Sequence, residues 1–124
     1  MDLKGISILV IDDDPDSRDL LNVMLRACGA TVRVVGSARD GVVACDQAKP
    51  DIIVSDIAMP ENDGYTFLRA LRTRSACAGV PAIAVTGYAH HRERAIAAGF
   101  DDVMTKPVDA EALCELVGHH VTVP

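Results

Sequence analysis

The sequence predicts an α/β fold in which a parallel sheet carries helices on both faces. Three observations predict it. Short aliphatic runs alternate five times with stretches whose apolar residues recur at helical spacing, the pattern of parallel strands joined by crossover helices. The first run is apolar nearly throughout, as a strand buried on both sides must be. Apolar residues make up 49% of the 124 residues, aromatics only 3%, and Trp is absent. That composition suits one compact domain with an aliphatic core.

Each element has its own local reason. Gly5 to Ile11 reads as the first strand. Asp14 then caps a helix with Pro15 at its first position, where a missing N–H costs nothing. Leu20, Leu21, Met24, Leu25 and Cys28 recur at helical spacing until Gly29 stops the helix. Thr31 to Val35 is a β-branched strand. Ser37 caps a second helix with Val42, Val43 and Cys45 inward, and Pro50 breaks it. Asp51 to Ser55 is the third strand, followed by a loop holding Met59, Pro60, Asn62, Asp63 and Gly64. Phe67, Leu68 and Leu71 mark the third helix. Pro81 precedes the fourth strand, Ala82 to Thr86. An alanine-rich helix from Ala89 to Ala98 ends at Gly99. Asp102 to Thr105 is a short fifth strand, and Asp109 caps a last helix containing Leu113, Leu116 and Val117.

In an open parallel sheet, residues just past the strand ends gather at one edge, where ligands bind. Asp12, Asp13 and Asp14 follow the first apolar run, and Asp56 follows the third. Thr86 ends the fourth strand, and Lys106-Pro107 follows the fifth. One pocket then holds several carboxylates, a hydroxyl and an ammonium, a set that suits a divalent cation and a phosphoryl group. Adjacent ionised carboxylates repel, so they need a cation or good solvation. Mg2+ takes one or two carboxylates and keeps several waters, a demand that Asp13 and Asp56 can meet with Asp12 acting through water. Acids at a helix N-terminus are also ordinary capping residues; Asp56, at a matching strand end, shifts the reading toward metal. Asp56 can also accept a phosphoryl group as an aspartyl phosphate, with Lys106 and the Thr86 hydroxyl on the phosphoryl oxygens.

These residues resemble the receiver domains of two-component response regulators. The segments ILVIDDDPDS, DIIVSDIAMPENDG, AIAVTG and MTKP carry the resemblance, in order, over essentially the whole of residues 1–124. The resemblance implies a flavodoxin-like, doubly wound five-stranded sheet of order 2-1-3-4-5 with five helices, the order of chemotaxis receivers. It makes Asp56 the phosphoacceptor and Asp12 and Asp13 the acidic pair. It adds the Ala58 carbonyl as a further Mg2+ ligand, Thr86 and Lys106 as the phosphate-contacting pair, and a cis Lys106-Pro107 peptide. It also implies a histidine kinase or phosphotransfer protein as phosphodonor and a downstream output protein or domain. One departure is Val103, which stands where the family often has an aromatic ring that follows the threonine. Phosphorylation is therefore expected to reshape the loop after the fourth strand without an aromatic rotamer as readout. Ala58 and Tyr88, two positions past Asp56 and Thr86, point to a long-lived phosphoryl group, since Ala58 cannot orient water and Tyr88 can cover the site.

Other features read as ordinary. A net charge of −6 repels nucleic acid backbones, and no apolar stretch reaches membrane-spanning length. Cys28, Cys45, Cys77 and Cys114 lack metal or redox spacing and read as buried free thiols in a reducing compartment, so a cytoplasmic location is expected. His90, His91, His119 and His120 read as surface residues, and Arg69, Arg72 and Arg74 as a solvated helix face. At 124 residues, no appended catalytic or DNA-binding domain is expected. The expected function is therefore a non-enzymatic phosphoacceptor, either a single-domain regulator or a receiver of a hybrid histidine kinase, which VTGY and KPVD resemble. Two alternatives remain: a Mg2+-dependent phosphohydrolase of haloacid dehalogenase type, whose D-x-D-x-T/V pattern is incomplete here, and a non-phosphorylated interaction module.

Overall fold

A computed structural model describes residues 2–57, 64–73, 77–88 and 91–121, with the backbone alone for 64–67. The chain alternates β1 (Ser7–Ile11), α1 (Pro15–Ala27), β2 (Thr31–Val35), α2 (Ala38–Gln47), β3 (Ile52–Asp56), α3 (Gly64–Arg72), β4 (Ala82–Thr86), α4 (Arg92–Ala98), β5 (Asp102–Thr105) and α5 (Ala110–His120). All strand pairs are parallel and the order is β2-β1-β3-β4-β5, as expected from the resemblance.

Side chains alternate across the sheet and feed two cores. On one face, Ile8, Val10, Ile52, Val54, Ile83 and Val85 pack with Leu21 and Leu25 of α1 and Leu113 and Val117 of α5. On the other, Leu9, Ile11, Ile53 and Ala84 pack with Ala44 of α2, Leu68 and Leu71 of α3 and Ala95 of α4. Burying a Leu or Ile side chain completely contributes about 1.5–3 kcal/mol, so these two layers hold the sheet rigid under its edge.

The three expected caps form: Asp14, Ser37 and Asp109 accept the backbone N–H groups of Ser17, Asp40 and Ala112. Several expectations need correction. Val43 is exposed and not inward, because Ala44 and Cys45 supply the buried face of α2. The described part of α4 begins at Arg92, and residues 89 and 90, including His90, lie outside the described residues. Cys28 and Cys114 are not free thiols: they form a disulfide that ties the end of α1 to α5. Cys45 and Cys77 are free and buried, and burial together with the neighbouring Cys77 pushes the Cys45 thiol up to about 12.

Two side chains read as surface groups are structural. Arg72 donates to the carbonyls of Ala78, Val80 and Gly99 at 3.0, 2.6 and 3.2 Å. His120 meets Asp102 at 3.0 Å and pins the end of α5 to β5. Burial pushes the Asp102 carboxyl up, but His120, the Val103 N–H and Arg92 together hold it below the ordinary range.

Candidate functional site

The C-terminal ends of β1, β3 and β4 and the turn after β5 meet at one edge of the sheet. Asp12 follows β1 directly, fixed by its N–H to the Val35 carbonyl at 3.1 Å. The acidic triplet then divides by role. Asp14 turns back to cap α1. Asp12 is wholly buried, and its Oδ1 accepts the Asp14 N–H at 2.9 Å. Asp13 is exposed. Asp56 closes β3 and is 6% exposed.

Ligand oxygens of Asp12, Asp13 and Asp56 all lie within 4.8 Å of one another. Lys106 reaches in across the cis Lys106-Pro107 turn, its Nζ 3.5 Å from Asp56 Oδ2. Unit charges about 4 Å apart interact by about 4 kcal/mol at an effective dielectric constant near 20. Three ionised carboxylates against one ammonium therefore leave an unbalanced repulsion, worth the charge of one divalent cation.

Asp12 carries the test of fit. Its Oδ2 is buried with no hydrogen-bond partner, and it is the only such side-chain atom among the described residues. An orphaned buried carboxylate oxygen costs free energy unless something binds it. Burial raises the Asp12 pKa above the ordinary carboxylate value, the Asp14 N–H opposes that, Asp56 raises it and Lys106 lowers it. An all-oxygen donor set suits a hard cation such as Mg2+. The residues fit such an ion. The Ala58 carbonyl, the other expected ligand, lies outside the described residues.

Thr86 is placed as expected, at the end of β4 beside the pocket, and its carbonyl accepts the Lys106 N–H at 2.7 Å. Its side chain is wholly buried. The hydroxyl lies 2.9 Å from His91 Nδ1 and accepts the Tyr88 N–H at 3.2 Å. Sequence reading missed His91. The available signal was its place five residues after Thr86, the expected phosphate-contacting threonine. Tyr88 is 58% exposed and its ring packs on His91, with centroids 5.1 Å apart. Val103, at the position of the missing aromatic, is buried in the core beneath α2, α3 and α4.

The comparisons agree with this architecture. Residues 8–118 match the sequence family described as Response regulator receiver domain. A 14.6 kDa protein encoded in the sodA1 3' region of Leptolyngbya boryana is 44% identical, covering 93% of this chain and 89% of that protein. Protein PilH of Pseudomonas aeruginosa is 33% identical, covering 89% of this chain and 93% of that one. Among solved structures, the receiver domain of sensor histidine kinase PA1611 from Pseudomonas aeruginosa PAO1 superposes with a TM-score of 0.86 at 29% identity. The match covers 93% of this chain and 96% of that one, whose structure has a magnesium ion coordinated in its active site cleft. Other relatives are longer, and the chain spans between 11% and 49% of their length.

Proposed function

This chain belongs to the response regulator receiver domain family, and we propose that Asp56 is the side chain on which it receives its phosphoryl group. It is a receiver domain of two-component systems, a domain found both in single-domain regulators and in hybrid kinases. Such domains are generally signalling modules and not enzymes. They bind Mg2+ at an acidic pocket and work with histidine kinases or phosphotransfer proteins and with output domains. The reading takes residues 1–124 as one receiver unit. Its partners are a phosphohistidine donor and a protein output, with nucleic acid disfavoured by the charge of −6. Nothing in the fold or among the relatives favours the haloacid dehalogenase alternative.

One observation carries the proposal. Asp56 is a nearly buried carboxylate held between the Lys106 ammonium and two further carboxylates at the edge of a rigid sheet. An Asp56 oxygen attacks phosphorus in line as the bond to the donor nitrogen breaks, and the nitrogen leaves with the electron pair and takes up a proton. The protein needs only to position the groups and balance charge. Lys106 pairs with one phosphoryl oxygen, and the Thr86 hydroxyl donates to another. Asp12, Asp13, Asp56 and the Ala58 carbonyl would hold Mg2+, which supplies neutralisation of the remaining phosphoryl charge.

Incubation with acetyl phosphate and Mg2+, followed by intact-mass measurement, tests this reading. Wild type should gain the mass of one phosphoryl group and Asp56→Asn none. Equal labelling of the two proteins would remove Asp56 from its role.

A second expected result concerns the cation and pH. A carboxyl whose pKa is raised by folding contributes fully below its unfolded value, and that contribution is lost as pH rises through its folded value. The raised Asp12 pKa therefore means that the metal-free protein loses stability as pH climbs above the ordinary carboxylate range near 4. Mg2+ should restore it, by about 2.7 kcal/mol at a hundredfold excess over its Kd. The gain should shrink as pH falls toward 4 and largely vanish in Asp12→Asn. Thermal melts with and without Mg2+ across pH 4–8 check it; a pH-independent Mg2+ shift would contradict it.

A further inference from the structure

Thr86 is wholly buried, so its single hydroxyl proton needs a protein partner. Among the described residues its oxygen has two: the Tyr88 N–H, which can only donate, and His91 Nδ1. If Nδ1 carried a proton, the hydroxyl would accept twice and leave its own proton buried without an acceptor. The arrangement is satisfied when Nδ1 is the bare nitrogen and Thr86 donates to it. The ring is held for that task. The His91 N–H donates to the Tyr88 carbonyl at 3.1 Å, and the Tyr88 ring lies against the imidazole.

We propose that His91 is a positioning residue that latches the switch hydroxyl: its Nδ1 accepts the Thr86 proton until a phosphoryl group on Asp56 takes that proton instead. The proposal rests on the reading of Asp56 as phosphoacceptor. The Thr86 hydroxyl has one proton and cannot donate it to both acceptors. Phosphoryl capture must break the Thr86–His91 bond, and with it the tie between the threonine and the imidazole on which the Tyr88 ring packs. Tyr88 and His91 then report the state of the pocket from the end of β4. Val103, buried and aliphatic on β5, offers no ring to follow the threonine. Breaking one such hydrogen bond opposes capture by about threefold to tenfold.

Beryllofluoride with Mg2+ serves as the phosphoryl analogue, with two readouts. In wild type, the 15N resonance of His91 Nδ1 should sit at the position of a hydrogen-bonded bare nitrogen and move when beryllofluoride binds. His91→Phe keeps a ring beside Tyr88 but has no acceptor, and should bind beryllofluoride about threefold to tenfold more tightly. His91→Asn places a carbonyl oxygen near the Nδ1 position and should restore wild-type affinity. Binding with an unmoved Nδ1 resonance, a protonated Nδ1 in the resting protein, or equal affinities of the Phe and Asn variants would each overturn the latch alone. Absence of beryllofluoride binding to wild type would overturn the Asp56 reading and the latch together.

Discussion

Lys106→Met should slow phosphoryl uptake on Asp56 by roughly a hundredfold to a thousandfold while leaving the fold almost unchanged. The two effects separate because the lysine's work differs between states. In the resting protein Nζ is 3.5 Å from Asp56 Oδ2 and the lysine side chain is 33% exposed. The pair is long and its lysine end is partly solvated, so water can replace part of what the ammonium gives the resting carboxylate. During transfer, charge spreads over the phosphoryl oxygens beside a nearly buried carboxylate, and a fixed ammonium is worth far more there. Its removal makes the pocket more negative, so Mg2+ should bind no more weakly. Lys106→Arg should recover only part of the rate, since a planar fork does not occupy the place of a compact ammonium. Intact-mass time courses with acetyl phosphate under saturating Mg2+, beside thermal melts, measure both effects. A Met variant labelled at the wild-type rate would take Lys106 out of the chemistry.

Much of the fold was legible because the elements are specified locally. Ile8-Leu9-Val10-Ile11 and Ile52-Ile53-Val54 are strands buried on both faces, and an unbroken aliphatic run says so. Asp14, Ser37 and Asp109 announce helix starts by residue type alone, and each makes its bond. The pocket followed from topology: acids, threonine and lysine each stand at or just past a strand end, and parallel pairing puts those ends on one edge. The strand order itself came from the resemblance, since periodicity cannot tell which strands are neighbours.

What stayed hidden depends on reach across the fold. Cys28 and Cys114 are 86 residues apart, and nothing in either segment shows that α1 and α5 share a face of the sheet. His91 looked like one of a pair of surface histidines; it sits against Thr86 with its N–H on the Tyr88 carbonyl, and contacts of that kind leave no periodic trace. Val43 and Ala44 are adjacent apolar residues, and only the roll of α2 decides that the smaller faces the core. Arg72 looked solvated because its partners lie 6 to 29 residues further along the chain.

Arg72→Ala should cost about 2–4 kcal/mol of stability, the largest loss expected of any charged residue outside the pocket. The guanidinium joins three places: Ala78 and Val80 before β4, Gly99 at the end of α4, and Asp101 before β5, whose Oδ2 lies 3.3 Å away. Charged donors to backbone carbonyls contribute about 1.5–3 kcal/mol each when buried, but the Arg72 side chain is 24% exposed, so water replaces part of what is lost. Asp101 keeps the Ala82 N–H at 2.8 Å, so its carboxylate is not stranded. Arg72→Lys should recover little, because one ammonium cannot span carbonyls that a flat five-donor fork reaches together. Urea unfolding should show a lower midpoint with an unchanged slope. The bonded groups precede β4 and β5, whereas the pocket follows β1, β3 and β4. Phosphoryl uptake on Asp56 well below the melting temperature should therefore stay at the wild-type rate. A stability loss under about 0.5 kcal/mol, the ordinary range of surface substitutions, would return Arg72 to the solvated face.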